Sequence, residues 1–254
     1  MSTEPIETGR NPIFLAGFRR YVRWRIARTF DGLWVEGLDQ TRRVARREPV
    51  IFASNHVAFW DPLVVVAIDE ALGTEAYALM DANNLGKLPF FRWVGAVPVD
   101  RSTPAASRRG LKLGAALCRG PGHALWLFSQ GRPRPAHLRP LDIKPGVRLL
   151  ARLSKARVVP VSLQYLFREV DQPAIFASFG APLSWETVAS SEGPAVVEAA
   201  IVAGLERVDR FAEHGEGAFE PLVEPERRRI DEGLGARLLA EMQAFALGRR
   251  KDSP

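Results

Sequence analysis

The segment Asn55-His56-Val57-Ala58-Phe59-Trp60-Asp61 places a histidine and an aspartate five positions apart across a turn. A histidine whose Nδ1–H is held by a carboxylate is fixed in one tautomer. Its Nε2 is then free to take a proton from a hydroxyl, and the imidazolium that forms is stabilised. The chemistry is base-assisted attack by an alcohol. A plainer reading uses the same residues: Asp61 caps a helix that has Pro62 at its first position, and His56 is a turn residue. Spacing alone leaves both readings open.

Other candidate groups offer less. His123, His137 and His214 have no patterned acid nearby and no HExxH pair is present, so no metal is expected. Ser129, in LFSQG, lacks the first glycine of the G-x-S-x-G nucleophile elbow, which speaks against a serine hydrolase. Cys118 is the only cysteine. It falls in a helical pattern and is read as packing. It excludes an intrachain disulfide and a cysteine-based zinc cluster, and suits a reducing compartment.

The elements that must position His56 and Asp61 are legible around them. Residues 49–53 are an apolar run of strand length, and residues 62–72 have helical character ended by Gly73. Similar apolar runs recur at 76–80, 96–99, 124–128, 158–163 and 175–179, with helical stretches at 108–118 and 146–156 among them. Strands alternating with helices imply an α/β fold, a mostly parallel sheet flanked by helices, with any site in loops at strand ends. Residues 194–213 and 226–247 read as C-terminal helices separated by a Gly- and Pro-containing break at 215–225. The expected division is a basic amphipathic segment at 1–40, a main domain at 41–215, and a C-terminal helix and charged tail at 216–254.

Composition agrees with this plan. The 254 residues are 46% hydrophobic and 25% charged, a globular balance that excludes a wholly disordered or fibrous chain. The net charge of +6 is concentrated at the front. Between residues 10 and 47 lie ten arginines (Arg10, Arg19, Arg20, Arg23, Arg25, Arg28, Arg42, Arg43, Arg46, Arg47) against Asp31, Glu36 and Asp39. The rest of the chain is near neutral, so a nucleic-acid partner is not expected and an anionic membrane surface fits better. Residues 12–30 interleave Ile13, Phe14, Phe18, Tyr21, Val22 and Ile26 with five arginines at spacings of three and four. This describes an amphipathic helix, lying either in a headgroup plane or on the domain. The longest apolar runs, such as residues 63–68, fall far short of the roughly 20 residues that span a bilayer. The opening MSTEPIETGR has acids where a signal peptide needs bases. The expected location is therefore peripheral, at the cytoplasmic face of a membrane.

Four blocks carry a more specific signal: NHVAFWD, GAVPVDR at 95–101, FSQGRPRP at 128–135 and VVPVSL at 158–163. In order and spacing they resemble the glycerolipid acyltransferase family, with its H-x4-D motif, which includes 1-acylglycerol-3-phosphate acyltransferase. The resemblance covers roughly residues 50–163, including LPFFRWVG and LDIKPGV. It implies O-acyl transfer to a lipid hydroxyl from acyl-CoA or acyl carrier protein as co-substrate, with no other cofactor and no covalent acyl-enzyme. His56 would be the general base and Asp61 its orienter, and Arg101 would grip an acceptor phosphate, two oxygens at once. Asn55, Gln130, Gly131 and Arg132 would meet substrate, and Pro160 would match the fourth-block proline along the pocket. The plainer roles are an Asp100 ion pair for Arg101 and a strand-end proline for Pro160.

One block departs from the pattern. Gln130-Gly131-Arg132-Pro133 stands where the family usually has Glu-Gly-Thr-Arg, so a hydrogen-bonding carbonyl is kept and a charge is lost. Arg132, Arg134 and Arg139 either compensate or solvate the loop. The first-choice acceptor is 1-acylglycerol-3-phosphate or a related lysophospholipid. A glycolipid or glycosylated isoprenoid, a thioesterase acting with water, and a non-catalytic lipid-binding protein are the alternatives.

Overall fold

Val50, Ile51, Phe52 and Ala53 are consecutive apolar residues with no exposed surface, and with Ser54 they form the central strand β2 (Val50–Ser54). A strand buried on both faces needs a helical layer on each side, and the chain supplies them. In the computed structural model, which describes residues 9–226, eight strands form one sheet in the order β4-β3-β5-β2-β6-β7-β1-β8. The remaining strands are β1 (Leu33–Glu36), β3 (Glu75–Asp81), β4 (Ala96–Val99), β5 (His123–Phe128), β6 (Arg157–Phe167), β7 (Pro173–Phe179) and β8 (Glu220–Val223). All neighbours pair in parallel except β6 with β7 and β1 with β8. The fold is α/β with a mostly parallel sheet, as expected. The tail and all but Glu226 of the helix expected at 226–247 lie outside the described residues.

The helices are α1 (Pro12–Thr29), α2 (Leu38–Ala45), α3 (Asp61–Leu72), α4 (Ala82–Lys87), α5 (Pro104–Leu117), α6 (Gly146–Ser154), α7 (Trp185–Ala189) and α8 (Gly193–His214), with a 3-10 turn η1 (Pro89–Val94). Alternation in β2 sorts the layers. Val50 and Phe52 pack with Val22 and Ile26 of α1 and Val64 and Ile68 of α3. Ile51 and Ala53 pack with Ala115 of α5, Val147 and Leu150 of α6 and Ile201 of α8. Cys118 belongs to this second layer, fully buried, its Sγ–H donating to the Val50 carbonyl at 3.3 Å. Burial pushes its thiol up to about 12, which fits packing rather than nucleophilic use.

Local signals explain the boundaries. Asn11 caps α1 by accepting from Ile13 N and Phe14 N, with Pro12 at the first helical position. Gly73 ends α3 in the left-handed region at φ 68°. β6 runs past the expected residue 163 because β7 folds back against it as far as Phe167↔Pro173. β1 and β8, at four residues each, are too short to stand out in a sequence pattern, and β8 occupies the break read at 215–225.

α1 lies on the domain, the second of the two placements left open for it, and keeps apolar residues at its surface. Leu15, Val22 and Ile26 are buried in the domain, whereas Ile13, Tyr21 and Trp24 stay exposed. Phe14 packs edge-on against Trp93 of η1 at 4.9 Å, so the aromatic edge of α1 continues onto that turn.

Charge also crosses the α1–α3 contact. Arg19 Nη2 lies 3.5 Å from Asp69 Oδ2, and the Thr74 hydroxyl donates to Asp69 Oδ1. Burial nevertheless dominates and raises the Asp69 carboxyl from 3.8 to about 6. The folded state thus binds this proton more tightly than the unfolded state. At neutral pH the ionised group costs on the order of 3 kcal/mol, a cost relieved as pH falls through 6 towards 3.8. Urea unfolding of the wild type and Asp69→Asn at pH 8 and pH 5 checks this. Wild-type stability relative to the variant is expected to rise by roughly 1 kcal/mol at the lower pH, and a fall or no change contradicts the assignment.

Candidate active site

The loop between β2 and α3 is tied to the sheet before the histidine is reached. Asn55 is buried, and its side chain copies a strand pairing: Nδ2 donates to Leu163 O at 2.9 Å and Oδ1 accepts from Leu163 N at 2.7 Å. His56 follows, with its backbone held from both sides. Its N–H donates to Gln130 Oε1 at 2.7 Å, and its carbonyl accepts from Arg134 N at 2.8 Å.

The loop then wraps around one carboxylate. Asp61 Oδ2 accepts from Val57 N at 2.6 Å and Ala58 N at 3.0 Å, and lies 2.6 Å from His56 Nδ1. Its Oδ1 accepts from the Tyr165 hydroxyl at 2.6 Å. Asp61 therefore does not cap α3 in the usual sense; Trp60 is the N-cap and contributes no side-chain bond. With a carboxylate as its partner, Nδ1 carries the ring proton and Nε2 is the accepting nitrogen. The imidazole stacks on Phe128 with centroids 4.4 Å apart and is partly exposed, whereas Asp61 is fully buried.

His56 lines a cavity of about 1000 Å³. One wall is the α3 face of Pro62, Val65, Val66 and Asp69, the positions that share one side of a helix and span about 10 Å along its axis. Residues 76–81 of β3 form another wall, about 16 Å long. The interior is apolar, with Phe91, Val94 and Trp126, and basic groups from Lys87, Arg101, Arg132 and Lys144 also line it.

Of the residues singled out from sequence, His56, Arg101, Gln130, Gly131 and Arg132 line the cavity. Asp61 sits behind His56, and Asn55 holds the loop. Arg101 pairs with Asp81, Nε to Oδ2 at 3.6 Å, rather than with Asp100, and its Nη1 donates to the Gly131 carbonyl. Gly131 has φ +75°, and a Cβ there would lie 3.4 Å from Arg101 Nη1, so glycine suits both the backbone and the guanidinium. Gln130 is buried, and both ends of its amide hold backbone: Oε1 holds His56, and Nε2 donates to Leu141 O at 2.8 Å. Among the three loop arginines, Arg132 reaches the cavity. Arg134 Nη1 donates to Leu141 O at 3.0 Å, and Arg139 bonds the carbonyls of Ala136 and Leu138.

Pro160 lies within β6, opposite Ala53, and does not line the cavity. Its carbonyl accepts from Gly180 N, just past the end of β7, so its missing N–H faces the side where that strand has stopped. Pro160 is thus not a strand-end residue as the plainer reading had it: it lies inside β6 and is tolerated there because β7 has ended beside it.

Several cavity and support residues went unnoticed in the sequence. Lys87 ends the short helix α4 and Lys144 lies in the loop before α6, and no sequence pattern marks either. Lys144 Nζ bonds Asp142 at 2.6 Å and thereby holds that carboxyl below its usual range. Tyr165 carried a usable signal: counting by twos from Val159 through Val161 and Leu163 puts it on the α3 face of β6.

The acyltransferase family profile matches residues 34–164, more than half of the chain. A 1-acyl-sn-glycerol-3-phosphate acyltransferase of Streptococcus pneumoniae (strain ATCC BAA-255 / R6) is 25% identical over 171 residues, covering 64% of this chain. The chain spans 61% of the length of that relative. The crystal structure of the 1-acyl-sn-glycerophosphate (LPA) acyltransferase PlsC from Thermotoga maritima has a TM-score of 0.56 at 15% identity, covering 77% of this chain and 79% of that one. At that identity the likeness is one of fold. The profile match runs from β1 into β6 and takes in the whole loop built around Asp61, so this chain belongs to the acyltransferase family.

Proposed function

We propose that this chain moves a fatty acyl group from acyl-CoA or acyl carrier protein to the free hydroxyl of 1-acylglycerol-3-phosphate, with His56 as general base. The observation that carries this reading is the 2.6 Å contact between His56 Nδ1 and Asp61 Oδ2 beside a cavity with an apolar interior and basic lining groups. His56 Nε2 takes the proton of the acceptor hydroxyl as its oxygen attacks the thioester carbonyl carbon. The tetrahedral species collapses, the carbon–sulfur bond breaks, and the leaving thiolate takes the proton back from the imidazolium. Asp61 remains a carboxylate throughout and stabilises the imidazolium. The acyl chain occupies the apolar interior, and the acceptor phosphate meets Arg101 with Arg132, Lys87 and Lys144 nearby. The name of the Streptococcus relative supports this acceptor.

The reaction would take place at the cytoplasmic face of an anionic membrane. α1 would supply the docking edge, and the domain that carries it would include β1 and β8 of the sheet, wider than the 41–215 expected from sequence. The support is the exposed edge of Ile13, Tyr21 and Trp24, continued by Trp93 and interspersed with arginines. Among the described residues, no helix is long and apolar enough to cross a membrane.

Incubating the full chain with labelled acyl-CoA and lysophosphatidic acid, with products read by mass spectrometry, tests the reaction. Acceptor-dependent formation of phosphatidic acid is expected. Thioester cleavage without acceptor would indicate a thioesterase, and no cleavage a binding protein. His56→Ala should lose at least about 100-fold in turnover, and retention of more than a tenth by the folded variant would sink the mechanism. Arg101→Ala should raise the acceptor KM about ten- to a hundredfold, the worth of a charge-assisted contact. Arg101→Lys should recover part of this. An unchanged KM would redirect the search towards an uncharged glycolipid.

Docking is better tested by substitution than by truncation, because removing α1 would strip Val22 and Ile26 from the core. The triple variant Ile13→Ser, Tyr21→Ser, Trp24→Ser should no longer co-sediment with anionic vesicles. Salt should weaken wild-type binding only in part, since apolar burial is not screened. Undiminished co-sedimentation of the variant would place the membrane contact elsewhere.

A further inference from the structure

β2 pairs with β6 only as far as Val161, yet β6 continues to Phe167, supported by β7. Tyr165 stands on this extension, roughly 13 Å beyond Val161 at the usual strand rise. Its ring packs 5.8 Å from Phe30, the residue that ends α1. Phe30 in turn meets Trp60 edge-on at 4.9 Å, and Trp60 is the residue before Asp61. The Tyr165 hydroxyl thus reaches Asp61 from a rigid aromatic bracket.

The two Asp61 oxygens are served differently. Oδ2 takes His56 Nδ1 and the amides of Val57 and Ala58, all from the catalytic loop itself. Oδ1 takes the Tyr165 hydroxyl, from the neighbouring strand β6. An aspartate carboxylate turns easily about χ2, in a broad and roughly two-fold well. The loop donors alone fix a point, whereas a donor on the second oxygen fixes the plane. Burial first, and then the Asp61 charge, hold the Tyr165 hydroxyl well above its usual value, so it remains a proton donor wherever the protein is assayed.

We propose that Tyr165 is a positioning residue for acyl transfer, its hydroxyl fixing the Asp61 carboxylate so that Oδ2 stays aimed at His56 Nδ1. The inference rests on His56 and Asp61 acting as proposed above. Tyr165→Phe keeps the ring against Phe30 and removes only the hydroxyl. The expected result is a kcat lower by about ten- to a hundredfold, the worth of a hydrogen bond to a charged group, with KM for donor and acceptor within about twofold. In an Asp61→Asn background the same substitution should add no further loss, because both changes remove one unit.

A kcat within about twofold of wild type, a change carried by KM, or losses that multiply in the double variant would each overturn the proposal. A second measurement needs no substrate. The low-field proton resonance of His56 Nδ1–H should shift or broaden in Tyr165→Phe, and an unmoved resonance overturns the inference. Absence of transfer by the wild type would sink the reading of the reaction instead, leaving this resonance to decide the role of Tyr165.

Discussion

A carboxylate removed from water costs several kcal/mol unless hydrogen-bond donors replace the lost hydration. Asp61 is fully buried, and four donors converge on it: three from the loop between β2 and α3 and one from β6. This requirement shapes the surrounding chain. The loop has to curl so that the Val57 and Ala58 amides point inward, which brings His56 onto the same oxygen. Asn55 can then leave β2 only by pairing with Leu163, and β6 must extend far enough to deliver Tyr165. The cavity beside His56 inherits its position from these commitments.

α1 shows how closely outer surface and interior are joined. Leu15 lines the cavity, Arg19 reaches Asp69 on its α3 wall, and Phe30 braces Trp60 and Tyr165. Arg25 lies over the Trp60 ring at 5.5 Å. A single helix therefore bears on the cavity, the loop that carries His56 and the exposed aromatic edge, and a load applied at that edge has a packed route inward.

The central part of this arrangement was legible in the sequence because its signals are local. Four apolar residues in a row mark β2, Pro62 and Gly73 bracket α3, and the five-residue spacing of His56 and Asp61 survives any reasonable placement of the turn. What was not legible depends on partners distant in sequence. Asn55 and Gln130 look like substrate-facing polar residues, yet their side chains are spent on Leu163, His56 and Leu141, contacts that exist only once strands are neighbours. Arg101 chose Asp81 over adjacent Asp100 because β3 and β4 lie side by side. Short elements such as β1, β8 and η1 have too few residues for periodicity to separate them from loop.

The amide of Gln130 gives the altered third block a chemical meaning of its own. An amide presents an acceptor at one end and a donor at the other, and here each end faces the opposite kind of group: the N–H of His56 and the carbonyl of Leu141. A glutamate at this position would offer oxygen to both. It would satisfy His56 but set a negative oxygen against a carbonyl in a buried site, leaving Arg134 as the remaining named donor to Leu141. Restoring the usual family residue here would thus be a loss of complementarity rather than a repair. The motif and its backbone cradle read as a matched pair, in which polarity is balanced without an ion.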